Sequence, residues 1–182
     1  MNEFKELEEK EIFKNPHITV YSKTLKLPND KVVNWTFTGK QDAVGVVAVL
    51  EDNRVLLVKQ YRPAIKRETL EIPAGLLEKN ESPSEAANRE LEEETGYRAV
   101  RLEKICEYYM SPGVSEGKFY LFYADELVRT EQNLDEDEFL EVEKIALEKI
   151  KISSLSDAKS ILAVEYAKKK RKLGWKGEHL NI

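Results

Sequence analysis

The chain has 182 residues, of which 41% are hydrophobic and 35% charged, a composition typical of a soluble globular protein. The formal net charge of −5 disfavours nucleic acid as a partner, because binding a phosphate backbone needs an excess of positive charge. The single cysteine, Cys106, excludes an internal disulfide framework and favours a cytoplasmic location. The longest apolar run, residues 44–50, is too short to cross a membrane, so no membrane association is predicted.

The N-terminal part of the chain predicts an antiparallel β hairpin. Apolar and polar residues alternate between Ile18 and Leu27, and a Pro-Asn-Asp turn signal separates this run from residues 32–38. No strand is assigned to the charged residues 1–16. A two-stranded hairpin has too little core to be stable alone in water, so it must pack on its own domain or on a second subunit.

The rest of the chain predicts strands and two helices. The apolar runs 43–50 and 54–61 predict a second hairpin that is covered on both faces. Further strands are predicted at residues 69–72, 99–109 and 119–124, and in a segment containing Phe139, Val142 and Ile145. A closing helix is predicted after the N-cap Asp157, with its buried side formed by Ala158, Ile161, Leu162 and Tyr166. This order of elements indicates an α/β/α sandwich around a mixed sheet.

A short helix between Gly75 and Tyr97 has clear boundary signals in the sequence. Ser82 and Glu85 predict an N-cap and its capping-box partner, with Pro83 tolerated in the first turn. Gly96 predicts the C-terminal stop, because glycine adopts the left-handed conformation without a steric penalty.

The helix carries several glutamates on one side. Glu90 and Glu94 lie four residues apart and share a face, with Glu93 beside them. Like charges at this spacing destabilise an isolated helix, and a hard cation such as Mg²⁺ would relieve the repulsion. The alternative interpretation is an ordinary charged surface helix.

The spacing of the fixed residues matches the Nudix box, G-x5-E-x7-R-E-U-x-E-E-x-G-U, in which U is a bulky apolar residue. The matching residues are Gly75, Glu81, Arg89, Glu90, Leu91, Glu93, Glu94, Gly96 and Tyr97. The chain therefore resembles the Nudix hydrolases, which cleave a nucleoside diphosphate linked to another moiety. The resemblance implies the α/β fold of that superfamily, a Nudix α/β/α sandwich with an N-terminal antiparallel β hairpin.

Residues outside the box narrow the resemblance to the ADP-ribose pyrophosphatases. Pro112 lies fifteen residues after Tyr97, and the runs 58–63, 71–75 and 135–139 are similar to that subfamily. The resemblance implies a homodimer that hydrolyses ADP-ribose to AMP and ribose 5-phosphate with Mg²⁺, for which Mn²⁺ is a substitute. In this interpretation residues 1–39 are a dimerisation segment and residues 40–182 are the Nudix hydrolase domain.

Two alternatives to ADP-ribose hydrolysis stay open. The first is hydrolysis of another nucleoside diphosphate sugar, such as GDP-mannose, because the base and sugar contacts are not visible in the sequence. The second is a non-catalytic module that senses a nucleotide. The complete set of box glutamates with Arg89 argues against the second alternative, because a pure binding module does not need it.

The resemblance also implies the metal ligands. Glu90, Glu93 and Glu94 are the candidate side-chain ligands of Mg²⁺, and the carbonyl oxygen of Ala74 is the candidate backbone ligand. Arg89 is expected to orient the glutamates through salt bridges.

The resemblance further implies that the general base comes from the acidic loop near residue 136. Glu138 is preferred, Glu136 is second, and Glu116 in a different loop is third, while Glu93 joins the catalytic set through its shared metal. A solvated loop carboxylate is the alternative interpretation of each.

The candidate substrate-binding residues come from several predicted elements. They are Arg62, Trp35, Glu71, Pro112 and Glu116. Arg62 is expected to hold a phosphate or the base edge, because a planar guanidinium fits such groups. Trp35 offers a flat face for a nucleobase, and ordinary strand packing is its alternative role.

Overall fold

A computed structural model of the chain describes residues 3–15, 18–39, 41–136 and 138–173. Within it, the chain divides into two compact units. The first comprises Met1–Asp42 and Tyr108–Lys118, and the second comprises Ala43–Glu107 and Phe119–Ile182. No helix in the described residues is long and apolar enough to span a membrane.

The first unit contains, among its described residues, an antiparallel sheet in the order β1-β2-β3. These strands are β1, Lys5–Lys14; β2, Thr19–Lys26; and β3, Val32–Thr38. The predicted hairpin is confirmed as β2 and β3, which pair from Val20 with Thr38 to Lys26 with Val32. Strand β1 was missed because all ten of its residues are exposed and two register shifts interrupt its pairing, so no apolar alternation marks it.

The second unit is built on a mixed sheet that contains seven strands within the described residues. These are β4, Ala43–Val49; β5, Arg54–Arg62; β6, Arg67–Glu71; β7, Ala74–Leu76; β9, Glu103–Tyr109; β10, Lys118–Ala124; and β12, Leu140–Ala146. The main order is β12-β5-β4-β10-β9, with β6 paired to β5 and β7 paired to β4. Strand β4 runs parallel to β10 and antiparallel to β5, so the predicted mixed sheet is confirmed.

Two further strands, two α-helices and two short 3₁₀ helices, Leu147–Lys149 and Ile152–Ser154, complete the described part of this unit. Strands β8, Tyr97–Ala99, and β11, Leu127–Arg129, pair with each other. Helix α1 spans Pro83–Thr95 and helix α2 spans Ala158–Leu173. Every residue of β4 is buried, as the apolar run predicted, and α1 contributes Ala86, Ala87 and Leu91 to the same core.

Helix α2 begins as predicted but buries a different face. The Asp157 carboxylate accepts a hydrogen bond from the Ser160 N–H at 2.9 Å, which confirms Asp157 as the N-cap. The predicted buried side was wrong for Ala158 and Leu162, which are exposed, whereas Ile161 and Tyr166 are partly buried. The buried face consists of small side chains and is formed by Ser160, Ala163, Val164 and Ala167. Small side chains let the helix lie close to the sheet, where it packs on β4.

Candidate active site

Helix α1 is held at both ends by the residues that the sequence predicted. The Ser82 hydroxyl accepts from the Glu85 N–H at 3.3 Å, and the Glu85 carboxylate accepts from the Ser82 N–H at 2.9 Å. Gly96 has φ 68° and donates its N–H to the Glu92 carbonyl at 2.8 Å. The capping box and left-handed stop therefore fix which residues of the helix face the sheet.

Arg89 ties the glutamates of the box together, as predicted. Its Nε donates to Glu81 at 3.0 Å, and its Nη1 donates to Glu90 and Glu93, both at 2.9 Å. Its Nη2 donates to the Leu76 carbonyl at 3.0 Å, which anchors the guanidinium to the strand before the helix. Hydrogen bonds from Arg89 also lower the pKa of Glu81. The guanidinium thus fixes the positions of several carboxylates at once.

Glu90 and Glu94 are buried carboxylates, only 8% and 3% exposed. Burial raises the pKa of Glu90 to about 7 against the opposing charge of Arg89. Burial also raises the pKa of Glu94 to about 8, against a hydrogen bond from the Ala74 N–H at 2.9 Å. The negative charge of Glu138 raises the pKa of both groups, which places Glu138 within electrostatic range of each.

The Glu90 carboxyl group occupies the space that a side chain on Gly75 would need. A Cβ atom on Gly75 would lie 2.1 Å from the carboxyl carbon of Glu90 and no more than 2.3 Å from either oxygen. Real Cβ atoms never approach another heavy atom so closely, so any other residue would displace the glutamate. The first glycine of the box is therefore required by the position of Glu90.

The residues present fit a divalent cation. Two adjacent buried carboxylates with raised pKa values favour a positive charge between them, and oxygen donors are the ligands of hard cations. Within the described residues, no three acidic, histidine or cysteine side chains converge as a preassembled metal site. Glu90 and Glu93 share the Nη1 group of Arg89 instead, and Glu94 bonds to Ala74.

The acidic loop between β11 and β12 is tied to the C-terminal end of α1. The Thr130 N–H donates to the Gly96 carbonyl at 2.8 Å, and the Asn133 N–H donates to the Glu93 carbonyl at 3.0 Å. The Gln132 side chain donates to the Glu94 carbonyl at 2.7 Å. These bonds satisfy carbonyl groups that have no partner within the helix, and they link the loop to the helix that carries the glutamates.

The two candidate bases of this loop differ in their surroundings. Glu138 is half-buried, and its carboxylate accepts from the Asp135 N–H at 3.3 Å. Glu136 is exposed, and Asp137 between them lies outside the described residues. The electrostatic effect of Glu138 on both buried box glutamates makes it the better-placed candidate.

Arg62 and Glu71 form a bidentate pair. Nε and Nη2 of Arg62 donate to the two oxygens of Glu71, each at 2.8 Å. Glu71 is 3% exposed and also accepts from the Thr69 hydroxyl at 2.6 Å and from Lys159 Nζ at 2.5 Å. Burial disfavours the ionised form, but the hydrogen bonds from Arg62 and the charge of Lys159 lower the pKa of Glu71 to about 2. The negative charge of Glu94 raises the pKa of Arg62, so the pair lies within electrostatic range of Glu94.

Lys159 was not recognised from the sequence. It lies 88 residues from Glu71 along the chain, and no local pattern distinguishes it from the other lysines of the last helix. An N-cap signal at Asp157 places it in the first turn of α2, but nothing in the sequence indicates which strand that turn meets.

The other candidate substrate residues belong to the first unit. Trp35 lies exposed on β3, with its ring centroid 6.2 Å from that of Phe4. Pro112 and Glu116 are exposed in the loop that follows β9, and the Glu116 carboxylate lies 2.5 Å from Lys23 Nζ. Lys23 also contacts Glu6 and Glu9, at 3.0 and 3.3 Å. The structure thus brings Glu116 to Lys23, a residue that sequence reasoning did not single out.

Comparison with known proteins identifies the class. Residues 39–164 match the model of the NUDIX domain. The chain belongs to the NUDIX family and is a Nudix hydrolase. Nudix hydrolases use divalent metal ions, in agreement with the buried carboxylates of α1.

Individual relatives differ in their described roles. An ADP-ribose pyrophosphatase of Bacillus subtilis (strain 168) is 40% identical over 180 residues, which cover 93% of this chain and 97% of the relative. A methanol dehydrogenase activator of Bacillus methanolicus is 35% identical over 170 residues, covering 90% and 92%. A GDP-mannose pyrophosphatase of Yersinia enterocolitica is 36% identical over 127 residues, covering 62% and 65%.

A solved structure described as an ADP compounds hydrolase has the same fold. It superposes with a TM-score of 0.82 at 23% identity, and the match covers 96% of this chain and 97% of that one. This similarity confirms the predicted fold class, a Nudix α/β fold with an antiparallel hairpin at the N-terminus.

Proposed function

We propose that the chain is a cytoplasmic, Mg²⁺-dependent ADP-ribose pyrophosphatase that produces AMP and ribose 5-phosphate. The observation that carries this proposal is the pair of buried carboxylates, with Glu90 against Gly75, Glu94 bonded to the Ala74 N–H and Glu138 in electrostatic range. The ADP-ribose pyrophosphatase of Bacillus subtilis, aligned over 97% of its length, supports the choice of substrate.

The proposed metal ligands are the carboxylates of Glu90, Glu93 and Glu94 and the carbonyl oxygen of Ala74. When bound, a divalent cation neutralises phosphate oxygens and polarises the attacking water. Arg89 holds Glu90 and Glu93 in place before binding through bonds of 2.9 Å each. Mg²⁺ is proposed because every donor is a hard oxygen, and Mn²⁺ is the expected substitute.

Glu138 is the proposed general base that takes the proton of the attacking water. Its position is supported by its half-burial and by its effect on the pKa of Glu90 and Glu94. Glu136 on the same loop is the second candidate, and Glu116 is the third. Glu93 belongs to the catalytic set because it is a proposed ligand of the metal ion that polarises the attacking water.

The proposed substrate contacts are those that the resemblance to the ADP-ribose pyrophosphatases suggests. Arg62 directs its Nε–Nη2 edge at Glu71 and is proposed to offer the rest of its guanidinium to the diphosphate. Glu71 belongs to the binding region, and its four protein contacts suit a residue that orients Arg62. Trp35, Pro112 and Glu116 are proposed to contact the nucleoside or sugar, with Trp35 stacking on the base.

The alternatives are supported by other relatives. Hydrolysis of GDP-mannose is supported by the Yersinia enterocolitica relative. A non-catalytic, nucleotide-sensing role is supported by the name of the Bacillus methanolicus relative, an activator of another enzyme. Catalysis is favoured because a buried carboxylate pair costs free energy unless a cation or proton compensates it, and pure nucleotide sensing does not require such a pair.

Assay of a panel of nucleoside diphosphate sugars tests the proposed function. ADP-ribose, GDP-mannose and UDP-glucose are each incubated with the protein and Mg²⁺, and phosphate is measured after a phosphatase removes it from the products. The expected result is the highest kcat/KM for ADP-ribose, with AMP and ribose 5-phosphate identified by chromatography.

Controls with a chelator and with Mn²⁺ separate enzymatic from background hydrolysis. A higher kcat/KM for GDP-mannose would favour the first alternative. No turnover of any panel member with either metal would contradict catalysis and favour the sensing role.

We further propose that the chain forms a two-fold homodimer through residues 1–39, with residues 40–182 as the hydrolase domain. Strand β1 is exposed along its whole length, and large apolar side chains of this sheet lie in solvent. They are Phe4, Leu7, Ile12, Phe13, Val32 and Trp35. The resemblance to the ADP-ribose pyrophosphatases supports a second copy as the partner, with Trp35 reaching the partner's substrate.

Light scattering of the full-length chain is expected to give the mass of a dimer. Phe13→Glu, which replaces an exposed apolar side chain of β1 with a charge, is expected to give a monomer. Lys10→Glu on the same strand is the matched control and is expected to leave the dimer intact, because this residue is already polar. A monomeric wild-type protein with full activity at assay concentration would contradict the proposed dimer.

A further inference from the structure

Glu71 is fixed in one plane by contacts on both of its carboxylate oxygens. Oε1 accepts from Arg62 Nε at 2.8 Å and from the Thr69 hydroxyl at 2.6 Å. Oε2 accepts from Arg62 Nη2 at 2.8 Å and from Lys159 Nζ at 2.5 Å. Since a bidentate guanidinium–carboxylate pair is planar, whatever fixes the plane of Glu71 also fixes the plane of Arg62.

Lys159 reaches Glu71 from a separate element of the fold. It lies in the first turn of α2, and its Nζ also lies 3.0 Å from the Asp157 carboxylate. Its side chain is 14% exposed and that of Glu71 is 4% exposed, so the ion pair is largely shielded from water. In such surroundings a charge-assisted hydrogen bond is stronger than at an exposed surface.

The first turn of α2 has its own attachment to the sheet. The Asp157 carboxylate accepts from the Ser160 N–H at 2.9 Å, and the Ser160 hydroxyl accepts from the Ile72 N–H at 2.9 Å. Ile72 directly follows Glu71. The bond from the Ile72 N–H to the Ser160 hydroxyl therefore joins the helix to the strand end, in addition to the contact between Lys159 and Glu71. This places Lys159 accurately against the carboxylate that holds Arg62.

We propose that Lys159 is a positioning residue for substrate, which acts by holding Glu71 and, through it, the guanidinium of Arg62. The inference rests on the proposed function, in which Arg62 binds the diphosphate. Without Lys159, Oε2 of Glu71 loses its second donor, and the bond from Thr69 to Oε1 holds the carboxylate and Arg62 less firmly. The guanidinium then no longer presents a fixed edge to the phosphates.

Binding of a non-hydrolysable nucleoside diphosphate tests the inference without relying on turnover. The affinity of the full-length protein for α,β-methylene-ADP is measured by calorimetry in the presence of Mg²⁺. Lys159→Met is expected to weaken binding by on the order of tenfold, because the Arg62 side chain must then be ordered when the ligand binds. Lys159→Arg retains the charge and donors and is expected to bind within about threefold of the wild type.

Lys168→Met is the matched control on the same helix. Its Nζ donates to the Ile150 carbonyl at 2.7 Å, so its loss tests whether loosening α2 is sufficient to weaken binding. This variant is expected to keep wild-type affinity. If Lys159→Met lacks a cooperative melting transition, Lys159→Gln replaces it in the comparison.

A double-mutant cycle with Arg62→Met shows whether Lys159 affects binding through Arg62 or independently of it. Because Lys159 acts through Arg62, Lys159→Met is expected to cause no further loss in the Arg62→Met background. An equal loss in both backgrounds, unchanged affinity in Lys159→Met, or no binding by the wild type would overturn the inference. A wild type that binds the analogue and fails to hydrolyse ADP-ribose would contradict the proposed function alone.

Discussion

Glu94→Gln is expected to lower kcat for ADP-ribose by at least about a hundredfold, because it removes a negatively charged metal ligand. The fold is expected to survive, since the amide oxygen of glutamine can still accept the Ala74 N–H that Glu94 accepts at 2.9 Å. In the metal-free protein the melting temperature should equal or exceed that of the wild type, because a carboxylate that is 3% exposed is costly to ionise.

Addition of Mg²⁺ gives a second measurement on the same pair of proteins. The wild type is expected to melt at a higher temperature with millimolar Mg²⁺, because a cation that binds the folded state stabilises it. Glu94→Gln should show a much smaller rise. Glu92→Gln is the matched control on the same helix, since Glu92 is less buried and outside the proposed ligand set. Wild-type turnover in Glu94→Gln at saturating Mg²⁺ would contradict the assignment of Glu94 as a ligand.

Helix α1 could be predicted from the sequence because its determinants are local. The capping box, the left-handed glycine and the contact between Arg89 and Glu93 all join residues within a few positions of each other. Spacing along the chain is sufficient to place such residues on one face. The hairpin of β4 and β5 was equally accessible, since the buried runs 43–49 and 55–58 are joined by a tight turn.

The missed features depend on contacts between distant parts of the chain. Lys159 meets Glu71 across 88 residues and Lys23 meets Glu116 across 93, and neither lysine differs locally from other lysines. The prediction of which face of α2 is buried was partly wrong for a related reason. Large apolar residues marked the expected face, whereas the sheet beneath the helix selects small ones such as Ala163 and Ala167.

Strand β1 shows the limit of hydrophobic periodicity. Apolar and polar residues do not alternate along β1, because none of its ten residues is buried in this chain. Bulges also shift the pairing register with β2 twice. Periodicity reports burial against a core, so a strand that is exposed on both faces leaves no signal. The proposed dimer would supply the missing burial for some of these residues.

Gly75→Ala is expected to lower kcat/KM for ADP-ribose by on the order of a hundredfold, through Glu90 and not through the backbone. The added Cβ would lie 2.1 Å from the Glu90 carboxyl carbon. Gly75 is not among the residues of the described chain with positive φ, so alanine can adopt its backbone conformation. The flexible end of Glu90 must therefore move away, which displaces a proposed metal ligand and its contact with Arg89.

A comparison of three variants distinguishes this effect from general destabilisation. Gly113→Ala is the matched glycine control, because a Cβ there meets nothing within 4 Å, and its melting temperature and Mg²⁺ response should match the wild type. Glu90→Gln should lower activity on its own, and adding Gly75→Ala to it should cause little further loss, because both changes act on the same carboxylate. Full activity in Gly75→Ala, or losses that simply add in the double variant, would show that the position of Glu90 does not determine turnover.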